Sequence, residues 1–411
     1  MIRLIRLEMK KVLKSRMPKI LLSLALILSV VMALAVIHYA NYTYQDAQGK
    51  EVTLTGFKAI EKNKEMMEPY EGPLTPEKIE HVFRVNREAE KTYEEGIPAD
   101  SQEKERYPAK RILGSLRQVY FDKEGMPRSL SQIDDKDARN FYQVRDGVVA
   151  DAIASKYPKS PLIQEKALAL NDQIEKPFTF LYGYATSDSA DYVLMLLIVL
   201  MLLCGILTAP VFSSDYQTGA DDILRCTKNG RVRLAGAKVL SAFLLSGLCF
   251  IICMTIYLLI VNTAFGWDSL KASIQFTYNV TVIAPLTAGG VQKLTAGAGL
   301  LIFLAMISFI LMISSKTKTA MVSMILALVF CFLPSLVSTI GSGSIIQWIC
   351  CLMPAGGAGL THSFLFELLG TNFLPAGDTG FWSPYVILIA AAIQLPLFII
   401  LTIRFYCRHE A

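Results

Sequence analysis

Six long apolar runs, at roughly 19–39, 191–212, 238–264, 294–314, 319–340 and 384–405, constrain this chain more than anything else in it. A helix needs about 20 consecutive mostly apolar residues to cross the hydrocarbon core of a bilayer, and each run reaches about that length. The expected fold class is an all-α polytopic membrane protein with six transmembrane helices. Composition agrees, since 53% of the 411 residues are hydrophobic and only 18% are charged.

Positive charge in the short segments sets the orientation, because cytoplasmic loops retain Lys and Arg. Arg3, Arg6, Lys10, Lys11, Lys14, Arg16 and Lys19 precede the first span, and Arg225, Lys228, Arg231, Arg233 and Lys238 lie between the second and third. Lys316 and Lys318 follow the fourth, and Arg404 and Arg408 lie in the tail. Segment 341–383 has no Lys or Arg, and 265–293 has only Lys271 and Lys293. Both termini are therefore expected in the cytoplasm, with residues 41–190 outside. The net charge of +5 is an orientation signal and gives no reason to expect nucleic acid as a partner.

Residues 1–18 read as an amphipathic helix in the headgroup plane of the lipid bilayer. Ile2, Ile5, Met9, Val12 and Leu13 recur at helical spacing, with Arg3, Arg6, Lys10 and Lys14 on another face. The length and patterning of the basic stretch favour an uncleaved first span, 19–40, over a signal peptide cut near Ala33-Leu34-Ala35. An ordinary basic flank to that span would carry most of the same charges.

Region 41–190 is rich in Glu, Lys, Asp and Tyr and is punctuated by prolines from Pro69 to Pro177. Ile112, Leu113, Leu116, Val119 and Tyr120 share one helical face, and Phe141, Val144, Val148 and Val149 another, so a mainly α ectodomain is expected. All eight cysteines lie in or beside the spans. An outside domain of this size held by packing alone is common in bacteria, which makes the bacterial plasma membrane the expected address. The Cys350-Cys351 pair reads as apolar filling.

The sequence contains no G-x-x-x-x-G-K-[ST] phosphate loop, no H-E-x-x-H and no Cys/His metal spacing, and His38, His81, His362 and His409 are scattered. No enzymatic activity, metal or cofactor is expected on this chain.

The remaining segment, 191–411, contains spans two to six and a patterned polar loop at 213–238. Ser214 followed by Gln217 fits a capping box at a helix start, and Asp215 would then sit at the positive end of the helix dipole. Asp221 precedes Arg225 by four residues, Tyr216, Ala220, Ile223, Leu224 and Thr227 share one side, and Asn229-Gly230 supplies a stop. The pattern predicts a short amphipathic helix at the cytoplasmic surface, and it also fits a helix that simply floats in the headgroups.

The string Ser214-Asp215-Tyr216-Gln217-Thr218-Gly219, then Leu224, Thr227, Arg231 and Ala237-Lys238, resembles the loop between the second and third spans of ABC-2 type (type V fold) exporter permeases. Leu7-Glu8-Met9-Lys10-Lys11 is similar to that family's amphipathic entry helix, and Asp215 stands where the family usually has Glu. The likeness covers the membrane part and not 41–190. It implies a transmembrane subunit that pairs with a second permease chain and with a separate ABC ATP-binding subunit, where ATP and Mg reside. On that reading Ser214, Asp215, Tyr216, Gly219, Thr227, Lys228 and Arg231 form a coupling helix against the ATPase, braced by Arg6, Glu8, Lys10 and Lys11.

Residues 344–375 are apolar but broken by Pro354, Gly356, Gly357, Gly359 and Gly370. Irregular backbone at membrane depth survives only where protein or a water-filled cavity satisfies it, so a pair of short re-entrant helices is expected before the last span. ABC-2 permeases are similar here, which implies an outer gate at Pro354, Leu360, Phe364 and Phe366; lipid-facing packing is the other reading. His362 and Glu367 read as groups at the water boundary.

Gln394 and Thr255 or Tyr257 are the polar side chains expected to face an interior, and no charge sits at a span centre. That points toward an amphipathic or hydrophobic cargo, such as a lipid-like compound, a peptide antibiotic or a drug. The competing functions are an ion-coupled secondary transporter and a sensor or adhesion ectodomain on a membrane anchor. Six spans exceed what an anchor needs.

Overall fold

The computed structural model describes residues 1–45, 50–94, 103–121, 125–227, 230–341, 343–359 and 362–408. Helix α1 (Ile2–Lys14) ends at Ser15, which is extended at φ −68°, ψ 149°, and α2 (Arg16–Tyr39) follows. Pro18 accounts for the break. Its ring removes the N–H that would have bonded the Lys14 carbonyl, and it crowds that carbonyl, whereas a proline within a new helix's first turn is tolerated. The separation therefore falls at Ser15 rather than at the expected boundary at 18.

A polar domain follows, mainly helical as its apolar faces indicated, with two small antiparallel pairings added. Strands β1 (Asn41–Gln45) and β2 (Glu51–Thr55) pair with Asn41 opposite Thr55. The chain continues through α3 (Phe57–Met67), β3 (Gly72–Pro73), α4 (Pro76–Glu94), α5 (Glu103–Leu116), α6 (Asp135–Arg139), α7 (Phe141–Lys156), α8 (Pro161–Asn171) and β4 (Thr179–Phe180), the last paired with β3. Ile112, Leu113, Leu116, Val119 and Tyr120 are all buried, as are Phe141 and Val149, while Val144 and Val148 are half-buried.

The membrane part comprises α9 (Ser189–Thr208), α10 (Pro210–Thr218), α11 (Ala220–Cys226), α12 (Val232–Phe265), α13 (Ala288–Ser314), α14 (Ala320–Ser338), α15 (Ser344–Leu352), α16 (Phe364–Leu369), strands β5 (Phe373–Ala376) and β6 (Thr379–Trp382), and α17 (Ser383–Arg408). Six helical segments are long and apolar enough to cross a membrane: α2, α9 running on through α10, α12, α13, α14 and α17. This makes the chain a multi-pass membrane protein. The most buried of the six is α13, packed against α9, α12 and α17; α14 and α17 keep broad apolar faces exposed. In a bilayer such faces cost nothing, because lipid tails are as apolar as the side chains they meet.

Several helices outrun the apolar windows. The third starts at Val232 rather than 238, placing Arg233 and Lys238 inside it, and the fourth starts at Ala288, placing Lys293 inside it. The hairpin β5–β6 was not anticipated. It closes over Gly377-Asp378, with Gly377 in the left-handed region at φ 62°, as two-residue hairpin turns require.

Segment 266–287, between α12 and α13, is stitched into the polar domain. Phe276 meets Phe178 and Phe180 edge-on at 6.3 and 5.3 Å, and Ser273 donates its N–H to the Thr179 carbonyl (2.8 Å). The guanidinium of Arg145 in α7 is fully buried. It donates to the carbonyls of Val280 (2.8 Å) and Val282 (2.7 Å), to Asn171, and to Asp146 (3.0 Å). Replacing Arg145 by Met leaves two buried carbonyls without that donor. The Val282 carbonyl still accepts from Gln275 Nε2 at 3.3 Å, so only that of Val280 is orphaned, and the loss is about 1–3 kcal/mol, read as a lower unfolding temperature with faster hydrogen exchange across 279–283.

Candidate functional site

The candidate site lies at the end of the bundle that carries both chain termini, and it is assembled from a proline. Pro210 opens α10 without a break in the direction of α9, and as the first helical residue it needs no N–H. The next free donors, the N–H groups of Phe212 and Ser213, are taken by Ser314 Oγ of α13 at 3.0 and 3.2 Å. Ser323 of α14 donates to the Ala209 carbonyl at 2.7 Å. The helix start expected at Ser214 is thus four residues earlier. Ser214 and Gln217 lie inside α10 and form no capping box; Gln217 Oε1 instead accepts from the Ala320 N–H at 3.3 Å.

One turn into α10, Asp215 points inward and is only 3% exposed. One carboxylate oxygen meets Lys238 Nζ of α12 at 2.5 Å and the other meets Lys11 Nζ of α1 at 2.7 Å. Lys238, 1% exposed, also donates to the Val211 carbonyl (3.0 Å) and lies 3.6 Å from Glu8. Two acids and two bases balance, which is the condition for keeping a buried ammonium charged. Asp215 therefore does not lie on an open contact surface. Glu8 and Lys11 reach this corner through those ion pairs, whereas Arg6 and Lys10 lie on a different side of α1, exposed.

Gly219, at φ 66° and ψ 11°, ends α10 and begins α11, a conformation that side chains disfavour. On the face expected, Tyr216, Ala220 and Leu224 are half-buried but Ile223 is 75% exposed and Thr227 exposed, and Asp221 and Arg225 pack in their place. Asp221 and Arg225 are 3.8 Å apart, and the guanidinium lies 6.0 Å from the Tyr406 ring centre. That ring also stacks with Tyr216 at 6.4 Å, and its hydroxyl donates to the Gly230 carbonyl at 3.3 Å. A β-carbon on Gly230 would fall 1.6 Å from the Leu224 carbonyl oxygen, so only glycine fits this return. Thr227 and Arg231 are exposed, and Lys228 lies outside the described residues.

At the opposite end, Phe364 is buried, and Phe366 meets Tyr278 edge-on at 5.9 Å. Pro354 is half-buried in the turn after α15, and Leu360 lies outside the described residues. Glu367 is 3% exposed rather than at a water boundary; it accepts from Ser383 Oγ and meets His362 Nδ1 at 2.9 Å. Burial opposes its ionisation, but the hydrogen bonds from His362, Ser383 and Asn372 prevail and hold its pKa below the ordinary 4.5. The same bond raises His362 above its ordinary 6.5 against a smaller effect of burial. The polar domain grips this region: Lys156 donates to Asn372 (2.5 Å), Tyr157 to the Thr371 carbonyl (3.0 Å), and Lys166 to Thr379 (2.8 Å).

Within the spans, Tyr257 faces the interior and donates to the Ser189 carbonyl at 2.7 Å, while Thr255 faces outward. Gln394 donates to the Leu352 carbonyl at 2.6 Å. Asn262 and Gln292 form a reciprocal amide pair, 3.0 Å in each direction, joining α12 to α13. Each is a buried polar residue in an apolar setting; Asn262 lies within the third run but was not among the polar side chains expected to face an interior. The arrangement offers a charge-locked corner beneath a short exposed helix; among the described residues no cluster of His, Cys, Asp or Glu suits a metal ion. No protein-family model matches the chain, and no curated protein matches it.

Replacing Asp215 by Ala leaves the buried Lys238 ammonium with only Glu8, at 3.6 Å, as a counter-charge and should cost about 3–5 kcal/mol, whereas the paired replacement Asp215→Leu with Lys238→Met recovers most of it. Thermal unfolding of the purified protein checks both. The His362–Glu367 pair predicts a pH dependence. His362 stabilises fully below 6.5 and loses its contribution as pH rises through its raised folded value. Glu367 contributes above 4.5 and loses its share as pH falls through its depressed folded value. The pair is at full strength between 4.5 and 6.5, so the unfolding midpoint should decline above pH 6.5, and His362→Gln should flatten that decline.

Proposed function

We propose that this chain is the membrane-spanning permease subunit of an ATP-driven exporter of the ABC-2 kind. The carrying observation is α11: a short helix at the terminal end, fixed on its inner side by Asp221, Leu224 and Arg225 while Ile223 projects outward. Its flanking residues also carry the resemblance to the coupling loop of those permeases.

On this reading the termini are cytoplasmic, the polar domain lies outside a bacterial plasma membrane, and a separate ABC ATP-binding subunit holds ATP and Mg. A second permease chain completes the pathway. Closure of the ATPase pair presses on Gly219, Ile223, Thr227, Lys228 and Arg231. The push reaches the spans through Asp215, which links α10 to α12 and α1. The two short helices α15 and α16 form a re-entrant pair, with Pro354, Leu360, Phe364 and Phe366 at the outer gate. The cargo is amphipathic or hydrophobic, since the charges buried in the spans at Asp215 and Lys238 neutralise one another.

Ile223→Arg with Arg231→Glu should weaken capture of the ATP-binding subunit about 30-fold, the equivalent of about 2 kcal/mol at an interface hot spot, and abolish ATP-dependent export from vesicles. Full capture and transport by that variant would refute the assignment of α11.

A further inference from the structure

Helix α1 touches the bundle with one side only. Glu8 and Lys11 face Lys238 and Asp215, and no residue of the helix is fully buried. Its other side is an open, shallow apolar face, a groove formed by Ile5, Met9 and Leu13 with Arg6, Lys10 and Lys14 along its edge. The three basic residues are spaced four apart, so they form one edge about 12 Å long at ~1.5 Å per residue. Ser15 alone separates α1 from a span, which fixes the groove at the membrane boundary.

We propose that this groove binds an anionic phospholipid, with an acyl chain along Ile5, Met9 and Leu13 and the phosphate held by Arg6, Lys10 and Lys14. Charge decides the occupant. The floor is apolar and the rim is purely cationic, which complements a lipid that joins hydrocarbon to net negative charge. A zwitterionic headgroup brings its own cation to the same edge and gains less. Each basic side chain close to an anionic surface contributes about fivefold in binding, and three contribute about 100-fold. The site gives Arg6 and Lys10 a role separate from the ATPase, and it depends on the membrane location of α1 rather than on the exporter reading.

The test uses the full-length protein in phosphatidylcholine vesicles carrying a photoreactive phosphatidylglycerol. Labelling should map to residues 1–14 and be displaced by unlabelled phosphatidylglycerol at about 100-fold lower concentration than by phosphatidylcholine. Arg6→Gln, Lys10→Gln and Lys14→Gln together should remove that preference, while Arg6→Lys keeps it. Met9→Ser should reduce labelling by lipids of either headgroup. Equal labelling by photoreactive phosphatidylcholine, or a preference that survives the triple change, overturns the proposal. So does an unlabelled α1 whose triple variant loses capture of an ATPase, because the groove would then be a protein contact. None of these readouts involves transport, so the exporter assignment stands or falls separately.

Discussion

An ammonium group buried about two turns into a membrane-embedded helix cannot stand alone, and the terminal end of this molecule is organised by what Lys238 needs. Its charge draws Asp215 from α10, Glu8 from α1 and a main-chain carbonyl from Val211. Satisfying it fixes where α10 turns its inner side, which fixes where Gly219 reverses the chain and α11 hangs. The same carboxylate fastens α1 through Lys11, so one charge balance sets two helices, α1 and α10, relative to a third, α12.

A second buried cation does comparable work at the far end. Arg145 spreads its donors over Val280, Val282, Asn171 and Asp146, and thereby holds a segment from between two spans inside a domain formed mostly from the chain between two others. Lys238 resolves its charge with carboxylates, Arg145 largely with backbone carbonyls. The difference suits their shapes, since a planar fork reaches several acceptors at once and an ammonium is a point charge.

The spans and the helical faces of the polar domain were legible because apolar periodicity is written along the chain itself. What escaped depended on residues far apart in sequence. Asp215 reads as a helix-capping acid until its partners, 204 and 23 positions away, are brought beside it. Ser214-x-x-Gln217 looks the same at a helix start and within a helix, and Pro210 was the better signal. The first turns of α12 and α13 fell outside the apolar windows because they carry polar residues, Arg233 in one and Gln292 in the other, and Gln292 is satisfied by Asn262 of another helix. Glu367 was placed at the water boundary for the same reason: His362 is close in sequence, but Ser383 is not.

Helix α12 has 34 residues, about 51 Å at ~1.5 Å each, against a hydrocarbon core of about 30 Å. No proline interrupts it, whereas α10, α14 and α17 contain Pro210, Pro334 and Pro396. One end carries Lys238, and the other, near Asn262 and Phe265, lies against Gln292 and Tyr182. A stiff strut of that length passes a displacement from end to end with little loss, while the proline-bearing helices flex. In mechanical terms α12 is the longest of the proline-free pushrods, which include α9 and α13, among jointed members, and the polar domain rides on its far tip.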